Sequence, residues 1–398
     1  MAKLTSQPSF GPFPPAEISA PASPLRLILV VIVSHASFAG ARLAISLDAL
    51  HLNGSTLTVG VLMSLLMLVP TFTAAHIGRW VDRIGYLRPT LWSLAALALG
   101  GLIIAAMQTL AGLALGSMVV GTSFIVVNVA ISNAIGHVAG AAGRARAFGL
   151  TAVGYSLSAL FGPMLAGAAI DHLGYRWAFA LLALLPLAAI ALLRRPPEVP
   201  RPPASPRADK AALMDLLRLP RLRAVLIVSS LVAAGWDLFT FLVPLHGAAI
   251  GLSATAIGLV AGGFGVGSAS VRVALPWIGR RVGEWKLIGA ALALSGLGYI
   301  AFPFCVTLGT MLPLAMVLGA VLGCGQPVVM SLLHVTAPAQ RTGEAVGLRM
   351  AMIGFGQTVL PLAVGAFSSA VGLAPLFWAI AALLGMGGAY AGRRRRVN

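Results

Sequence analysis

The chain has 398 residues, of which 59% are hydrophobic and 9% are charged, and its mean hydropathy is +0.95. Because soluble domains carry about a quarter charged residues, this composition excludes an ordinary water-soluble protein and indicates one embedded in lipid. The net charge of +17 does not predict nucleic-acid binding, since the basic residues lie in short segments between apolar runs, where anionic membrane lipids can bind them.

Residues 1–24 are rich in Pro, Ser and Ala and are predicted to form a disordered cytoplasmic tail. We expect no cleaved signal peptide, because no small-residue cleavage site separates this segment from the next apolar run. Twelve apolar runs of about the length that a spanning helix needs follow, and we number them spans 1 to 12. They cover residues 25–47, 57–77, 88–108, 110–134, 147–169, 176–193, 224–246, 255–277, 286–305, 309–333, 346–368 and 373–391.

The spans are interrupted at the middle of the chain by residues 194–223, which contain the stretch PPEVPRPPASPR. Proline at this density favours an extended linker, with a short interfacial helix expected near residues 213–219. The predicted fold is therefore an all-α membrane protein with two pseudo-symmetric six-helix bundles. The predicted units are the N-terminal bundle 25–193, the cytoplasmic linker 194–223, the C-terminal bundle 224–392 and a basic cytoplasmic tail 393–398.

The two halves repeat each other at an offset of 198 residues, and the register needs no gap. The matched pairs include Ser55 and Ser253, Gly60 and Gly258, Arg83 and Arg281, Pro163 and Pro361, Gly167 and Gly365, and Gly174 and Gly372. A membrane protein built from two equivalent halves typically has a central pathway that the halves open alternately to either side. The repeat therefore indicates transport.

The positions of Lys and Arg predict that both termini are cytoplasmic. Nearly all of the 27 basic residues fall on the segments that this topology places inside or on the linker, including Arg349 at the start of span 11. The outer loops hold only Arg176, while Arg42 and Arg272 lie within spans. We expect an integral protein of the bacterial cytoplasmic (inner) membrane.

The segment 78–88 between spans 2 and 3, here called the gating loop, has the pattern G-x-x-x-D-R-x-G-x-x-R. We expect Gly78 to allow close helix approach and Gly85 to supply a backbone conformation that other residues resist. Asp82 can accept hydrogen bonds from the N-terminus of a neighbouring helix. Arg83 and Arg88 can pair with acids across the bundle and hold the inner face shut.

With this loop the chain resembles the major facilitator superfamily, and the resemblance covers essentially residues 25–392. The matching loop of the second half departs from the pattern, because Arg280 stands where Asp82 would recur. Any gating there is therefore expected to be asymmetric. In span 4, Ser117 stands where the arginine of a further family motif would align, which weakens a mechanism borrowed from drug–proton antiporters.

Span 5 carries a second resemblance, to the family's G-P-x-x-G-G motif, which is associated with exporters and antiporters. Gly154, Gly162, Pro163 and Gly167 carry it, with Ala166 in place of the first closing glycine. The proline is expected to kink the helix, and the small residues are expected to allow tight helix packing.

The resemblance implies that spans 1, 4, 7 and 10 line the central cavity. Arg42 in span 1 and Asp237 in span 7 are ionisable groups within the membrane, which are functional candidates by default. Because the repeat maps Asp237 onto Ala39, one helical turn from Arg42, the two charges are expected to approach across the halves. They could form an outer gate, a substrate clamp or a proton switch. The alternative is that each reaches the outer surface without a specific role.

Other polar residues on these spans are further candidates. Asn128 in span 4 maps onto Gln326 in span 10, and such paired amides suit a neutral or zwitterionic substrate, although they could equally join neighbouring helices. His35, in the middle of span 1, is the histidine best placed to carry protons. Arg272 in span 8 is expected to reach down to the inner lipid headgroups.

The sequence thus predicts a monomeric secondary active transporter of small molecules, with proton-coupled efflux as its specific form. It contains no phosphate-binding loop for ATP, and it offers no residue pattern of an enzyme, a metal site or a cofactor site. One alternative is an uptake symporter for a polar or anionic metabolite, which a cavity-facing Arg42 would favour. An alternative of another class is a membrane sensor or lipid-handling protein on the same scaffold, without transport.

Overall fold

A computed structural model describes residues 24–194, 196, 199, 215–279, 282–338 and 341–395. Residues 1–23 of the predicted tail 1–24, most of the linker, residues 280–281 and 339–340 and the last three residues lie outside the described residues. Within them, 12 helices are long and apolar enough to cross a membrane, which confirms the predicted number of spans. The chain is therefore an integral membrane protein of the predicted all-α class.

The observed helices follow the predicted spans in order. They are Leu25–His51, Thr56–Ile84, Leu87–Met107, Leu110–Val138, Gly140–Leu173 and Tyr175–Leu192 in the first half. In the second half they are Pro220–Ala249, Ala254–Gly279, Glu284–Ala301, Leu308–Gly323 with Gly325–Thr336, Thr342–Val371 and Leu373–Arg395. Residues 215–218 of the linker are helical, within the stretch where a short helix was expected.

Span 10 was predicted as one continuous run, but the structure divides it into two helices at Cys324. Pro327 lies just after the break. Since proline has no N–H and its ring crowds the carbonyl four residues earlier, a helix cannot continue undisturbed through this position. The break therefore has a local cause, and it places Gln326 at the start of a new helix.

The repeat in the sequence corresponds to equivalent packing in the two halves. Spans 1 and 5 pack together as spans 7 and 11 do, and spans 2 and 4 pack together as spans 8 and 10 do. Spans 3 and 6 likewise correspond to spans 9 and 12. The halves meet where span 2 packs on span 11, span 5 packs on span 8, and span 1 contacts span 7. We call this surface the seam.

The seam is packed most closely at the ends of the helices that the predicted topology places outside. A Cβ added at Gly167 would lie 2.2 Å from the carbonyl oxygen of Ala254, and one at Gly365 would lie 2.8 Å from that of Thr56. Towards the other side, a Cβ added at Gly149 or Gly347 would meet nothing within 4 Å. The two halves thus approach more closely at the outer side than at the inner side.

Candidate functional site

An ion pair joins the two halves inside the seam. Nη1 of Arg42 in span 1 lies 3.3 Å from Oδ1 of Asp237 in span 7, and the two side chains are 15% and 7% exposed. The predicted approach of these two residues is therefore confirmed. Removing one member of a buried pair costs about 3–5 kcal/mol, because the other charge is then left unpaired in apolar surroundings. The pair consequently couples the position of one half to that of the other.

Asp237 is 5% exposed, and buried aromatic side chains lie close to it along span 7. The hydroxyl of Tyr299 is fully buried and donates a 2.6 Å hydrogen bond to the carbonyl of Gly235, half a turn before the acid. Phe239 stacks on Phe264 with ring centroids 4.2 Å apart. In such surroundings the effective dielectric constant is low, so the attraction between Arg42 and Asp237 is much stronger than it would be in water.

A polar cluster lies within the first half and unites two predicted candidates. Nδ1 of His35 lies 2.5 Å from the hydroxyl of Ser158, and its ring meets that of Tyr155 edge-on at 4.8 Å. The Nδ2 group of Asn128 donates a 2.7 Å hydrogen bond to the Tyr155 hydroxyl. Sequence reasoning missed Tyr155 and Ser158, because single hydroxyl groups in an apolar span give no signal of their own. The cluster supplies adjacent groups that can donate and accept hydrogen bonds.

The second half holds a different cluster around Arg349. Its Nε donates to Ser229 of span 7 at 2.6 Å, and its Nη2 donates to Oε1 of Gln326 at 2.5 Å. Arg349 is only 3% exposed, so its prediction as an inner-surface charge is wrong. It lies two turns inside its helix, where the positive-inside rule does not distinguish an interior arginine from an interfacial one.

The two amides therefore do not occupy equivalent surroundings. Asn128 bonds a tyrosine of span 5, whereas Gln326 bonds an arginine of span 11. Each amide joins its own span to the next span of its half, which agrees with the helix-joining alternative. Their role in binding substrate stays a prediction.

Arg272 also differs from its prediction. Instead of reaching the inner headgroups, its Nη1 crosses the seam to span 5, where it donates to the carbonyl of Ala152 and, at 2.8 Å, to the hydroxyl of Ser156. Its guanidinium carbon lies 5.7 Å from the centre of the Trp236 ring. Arg272 is therefore a third cation, with Arg42 and Arg349, whose guanidinium lies within the bundle.

The gating loop has the predicted turn but is not engaged in the predicted contacts. Gly85 ends span 2 with a φ of 83°, which confirms the need for glycine there. A Cβ at Gly78 would meet nothing within 4 Å, so the predicted close approach at that residue is wrong for this conformation. Among the described residues, Asp82, Arg83 and Arg88 form no ion pair. Within the described part of the chain, these three residues therefore make no ion pair that could hold the inner face shut.

The glycine motif of span 5 packs against both halves. A Cβ at Gly154 would lie 2.3 Å from Ile32, and one at Gly162 would lie 2.4 Å from the carbonyl oxygen of Ala36, both in span 1. At its outer end, Gly167 packs against span 8 of the other half. Span 5 remains one helix through Pro163. Tight packing is thus confirmed for these three glycines.

Asp171, at the outer end of span 5, was not among the predicted site residues. Its two carboxylate oxygens accept hydrogen bonds from the backbone N–H groups of Ala254, at 3.1 Å, and Thr255, at 2.7 Å. These groups begin span 8, and a carboxylate at a helix N-terminus satisfies free N–H groups and the helix dipole. A charge from one half thus caps a helix of the other on the outer side.

Two uncharacterized MFS-type transporters of Mycobacterium tuberculosis are similar to this chain, each with 31% identity over 145 residues. The match covers 36% of this chain and 33% of each relative, so the chain spans only about a third of the length of these curated relatives. The family model of the Major Facilitator Superfamily matches residues 27–288 and residues 225–397.

Solved structures share the fold at low sequence identity. A POT family transporter in complex with a thioalcohol-conjugated peptide has a TM-score of 0.76 and 14% identity, over 92% of this chain and 94% of that one. A bacterial homologue of the human lysosomal transporter Spinster, inward-facing and unoccupied, has a TM-score of 0.72 and 15% identity, over 92% and 95%. Since the family model matches both halves, this chain belongs to the major facilitator superfamily.

Proposed function

We propose that this protein is a secondary active transporter that moves small molecules by alternating access, and that its specific activity is proton-coupled efflux. The observation that carries the proposal is the buried ion pair between Arg42 and Asp237, which joins the two halves at the seam. Ionisable groups within the membrane are costly and are kept where they move ions or substrates.

The packing of the seam supports the alternating part of the proposal. The outer ends are held by close glycine contacts and by the Asp171 cap on span 8, whereas the inner-end glycines Gly149 and Gly347 have no close neighbours. An arrangement that is tight on one side and loose on the other is one of the two states that alternating access requires. The gating loop is then expected to engage when the inner side closes.

The ion pair supports the coupling part of the proposal. When Asp237 is ionised it holds Arg42, and the halves are joined at this depth. When Asp237 takes up a proton, the attraction is lost and Arg42 is free to bind another partner. A proton can thus change the free energy of the seam by an amount comparable to the cost of breaking a buried pair, which is about 3–5 kcal/mol.

Reconstitution into proteoliposomes with an imposed pH gradient tests this proposal. Drugs, sugars and organic acids are screened for flux that the gradient drives, and the active compounds are then tested on the variants Asp237→Asn and Arg42→Gln. Arg218→Gln is the matched control, because Arg218 pairs with Asp215 on the exposed surface, with side chains 84% and 57% exposed. We expect flux from the wild type and the control, and its loss in both seam variants.

The alternatives predict different results in the same vesicles. Gradient-driven accumulation in the opposite direction would indicate an uptake symporter for a polar or anionic metabolite, which the buried cations make the second candidate. Absence of flux for every compound, with correctly folded protein, would favour a sensor or a lipid-handling protein and would contradict the proposal.

A further inference from the structure

Among the described residues, positive charge exceeds negative charge inside the bundle. Three arginines of the described part of the chain have guanidinium groups inside the bundle, namely Arg42, Arg272 and Arg349, and Asp237 is the one described acid that pairs with any of them. The other buried acid of the described residues, Asp48, lies near the outer end of span 1 and makes no ion pair with these arginines. Uncompensated cations within a membrane cost several kcal/mol and are candidates for a role in binding substrate.

The hydrogen bonds of Arg272 leave part of its guanidinium unsatisfied. Only Nη1 makes hydrogen bonds with the described residues, and its partners are the carbonyl of Ala152 and the hydroxyl of Ser156. The Nε atom is buried and has no hydrogen-bond partner. Nε and Nη2 together form the edge that a carboxylate or phosphate group binds with two parallel hydrogen bonds. This edge is therefore suited to an anionic group.

Arg349 adds a second cation, whose partners among the described residues are neutral. Its partners are the hydroxyl of Ser229 and the amide oxygen of Gln326, and neither can balance its charge. Ser229 and Trp236, which the two arginines contact, lie on the same helix, span 7. Seven residues separate them, which is about 10 Å along a helix. Both guanidinium groups thus contact side chains of span 7.

We propose that the substrate of this transporter is an organic anion, and that its carboxylate or phosphate group binds the guanidinium of Arg272, with Arg349 contributing a second positive charge. The inference rests on the proposed transport function and specifies its substrate class. Arg42 is not the anchor while it pairs with Asp237. The aromatic face of Trp236, beside the guanidinium, is suited to contact an apolar part of the same molecule.

Thermal unfolding of the purified protein in detergent tests the substrate class independently of transport. A panel of mono- and dicarboxylates and organic phosphates is compared with the uncharged amide or ester of each compound. We expect at least one anion to raise the Tm while its uncharged counterpart does not, because a ligand that binds only the folded state stabilises it. Arg272→Gln is expected to weaken that affinity by about tenfold or more, and Arg272→Lys by less.

Arg218→Gln, on the exposed surface, is the control and is expected to keep the full Tm shift. The inference is overturned if no anion of the panel shifts the Tm, if uncharged counterparts act equally, or if Arg272→Gln binds as the wild type does. If phosphatidylglycerol vesicles raise the Tm and no compound of the panel does, the site binds lipid and the inference is overturned as well. If anions bind but no flux is seen in proteoliposomes, the transport function is contradicted and the anion site is not. If Arg272→Gln still transports neutral compounds, the anion site is contradicted and the transport function is not.

Discussion

Gly60 and Gly258 lie 198 residues apart and contact equivalent carbonyl groups in opposite halves of the molecule. A Cβ added at Gly60 would lie 2.4 Å from the carbonyl oxygen of Pro361, and one added at Gly258 would lie 2.5 Å from that of Pro163. The two prolines are separated by the same offset. The outer seam therefore consists of two equivalent helix crossings at which only glycine fits.

This relationship predicts that Gly60→Ala and Gly258→Ala each destabilise the observed conformation. The opposing atom is a backbone oxygen, which cannot move aside as a flexible side chain can, so we expect a loss of about 1–3 kcal/mol from overpacking. A lowered Tm in detergent is the measurement. Gly385→Ala in span 12 is the control, because a Cβ there meets nothing within 4 Å. Equal Tm values for the three variants would refute the account of the outer seam.

The cap on span 8 predicts that substitutions at two positions related by the repeat lower the stability by different amounts. Asp171→Ala removes both hydrogen bonds to the N-terminus of span 8 and the favourable interaction with its dipole, and is expected to cost about 0.5–2 kcal/mol. Ser369 is at the equivalent position of the repeat and bonds only within its own helix, so Ser369→Ala is the matched control. Thermal unfolding separates the two, and an equal effect of both variants would argue against the cap.

The ion pair predicts strong coupling between Arg42 and Asp237. Asp237→Asn and Arg42→Gln are each expected to lower stability by about 3–5 kcal/mol, because each leaves a buried charge unpaired. The double variant is expected to recover most of the loss, since no charge then remains. A double-mutant cycle from the four Tm values measures this coupling. The exposed pair Arg218 and Asp215 is expected to give less than about 1 kcal/mol in the same cycle.

The gating loop predicts a substitution that affects transport but not stability. Since Asp82 forms no ion pair with the described residues in this conformation, Asp82→Asn is expected to change the stability by less than about 0.5 kcal/mol. Transport is nevertheless expected to fall, because the loop is proposed to engage when the inner side closes. A flux assay beside a thermal unfolding curve checks this, and unchanged flux would remove the loop from the mechanism.

The sequence alone predicted the number of spans, the two halves and the approach of Arg42 to Asp237. The number of spans could be predicted because a long apolar helix satisfies its own backbone hydrogen bonds in lipid. The approach of the two residues could be predicted because the gapless repeat relates positions in one half to positions in the other. The repeat also paired Gly60 with Gly258, whose surroundings the structure makes equivalent.

The sequence could not show which face of each helix meets a partner. The spans are apolar all round, so their pattern has little amphipathic direction to indicate it. Arg349 and Arg272 were for this reason assigned to the inner surface, although both bond neighbouring helices within the bundle. Tyr155, which connects His35 to Asn128, was missed because a single hydroxyl group in an apolar span gives no signal of its own. Whether a side chain points into the bundle depends on how its helix is rotated about its own axis. Tertiary packing determines that rotation.

Protonation of the pair between Arg42 and Asp237 is proposed to drive transport, and the variant that carries both Arg42→Gln and Asp237→Asn separates this coupling from substrate binding. At these two positions the variant has neither a titratable pair nor an unpaired charge, so it is expected to fold. We measure exchange of labelled substrate by counterflow and accumulation driven by a pH gradient, in the same proteoliposomes. The account predicts that counterflow persists in the double variant while gradient-driven accumulation is lost. Accumulation at the wild-type level in that variant would contradict it.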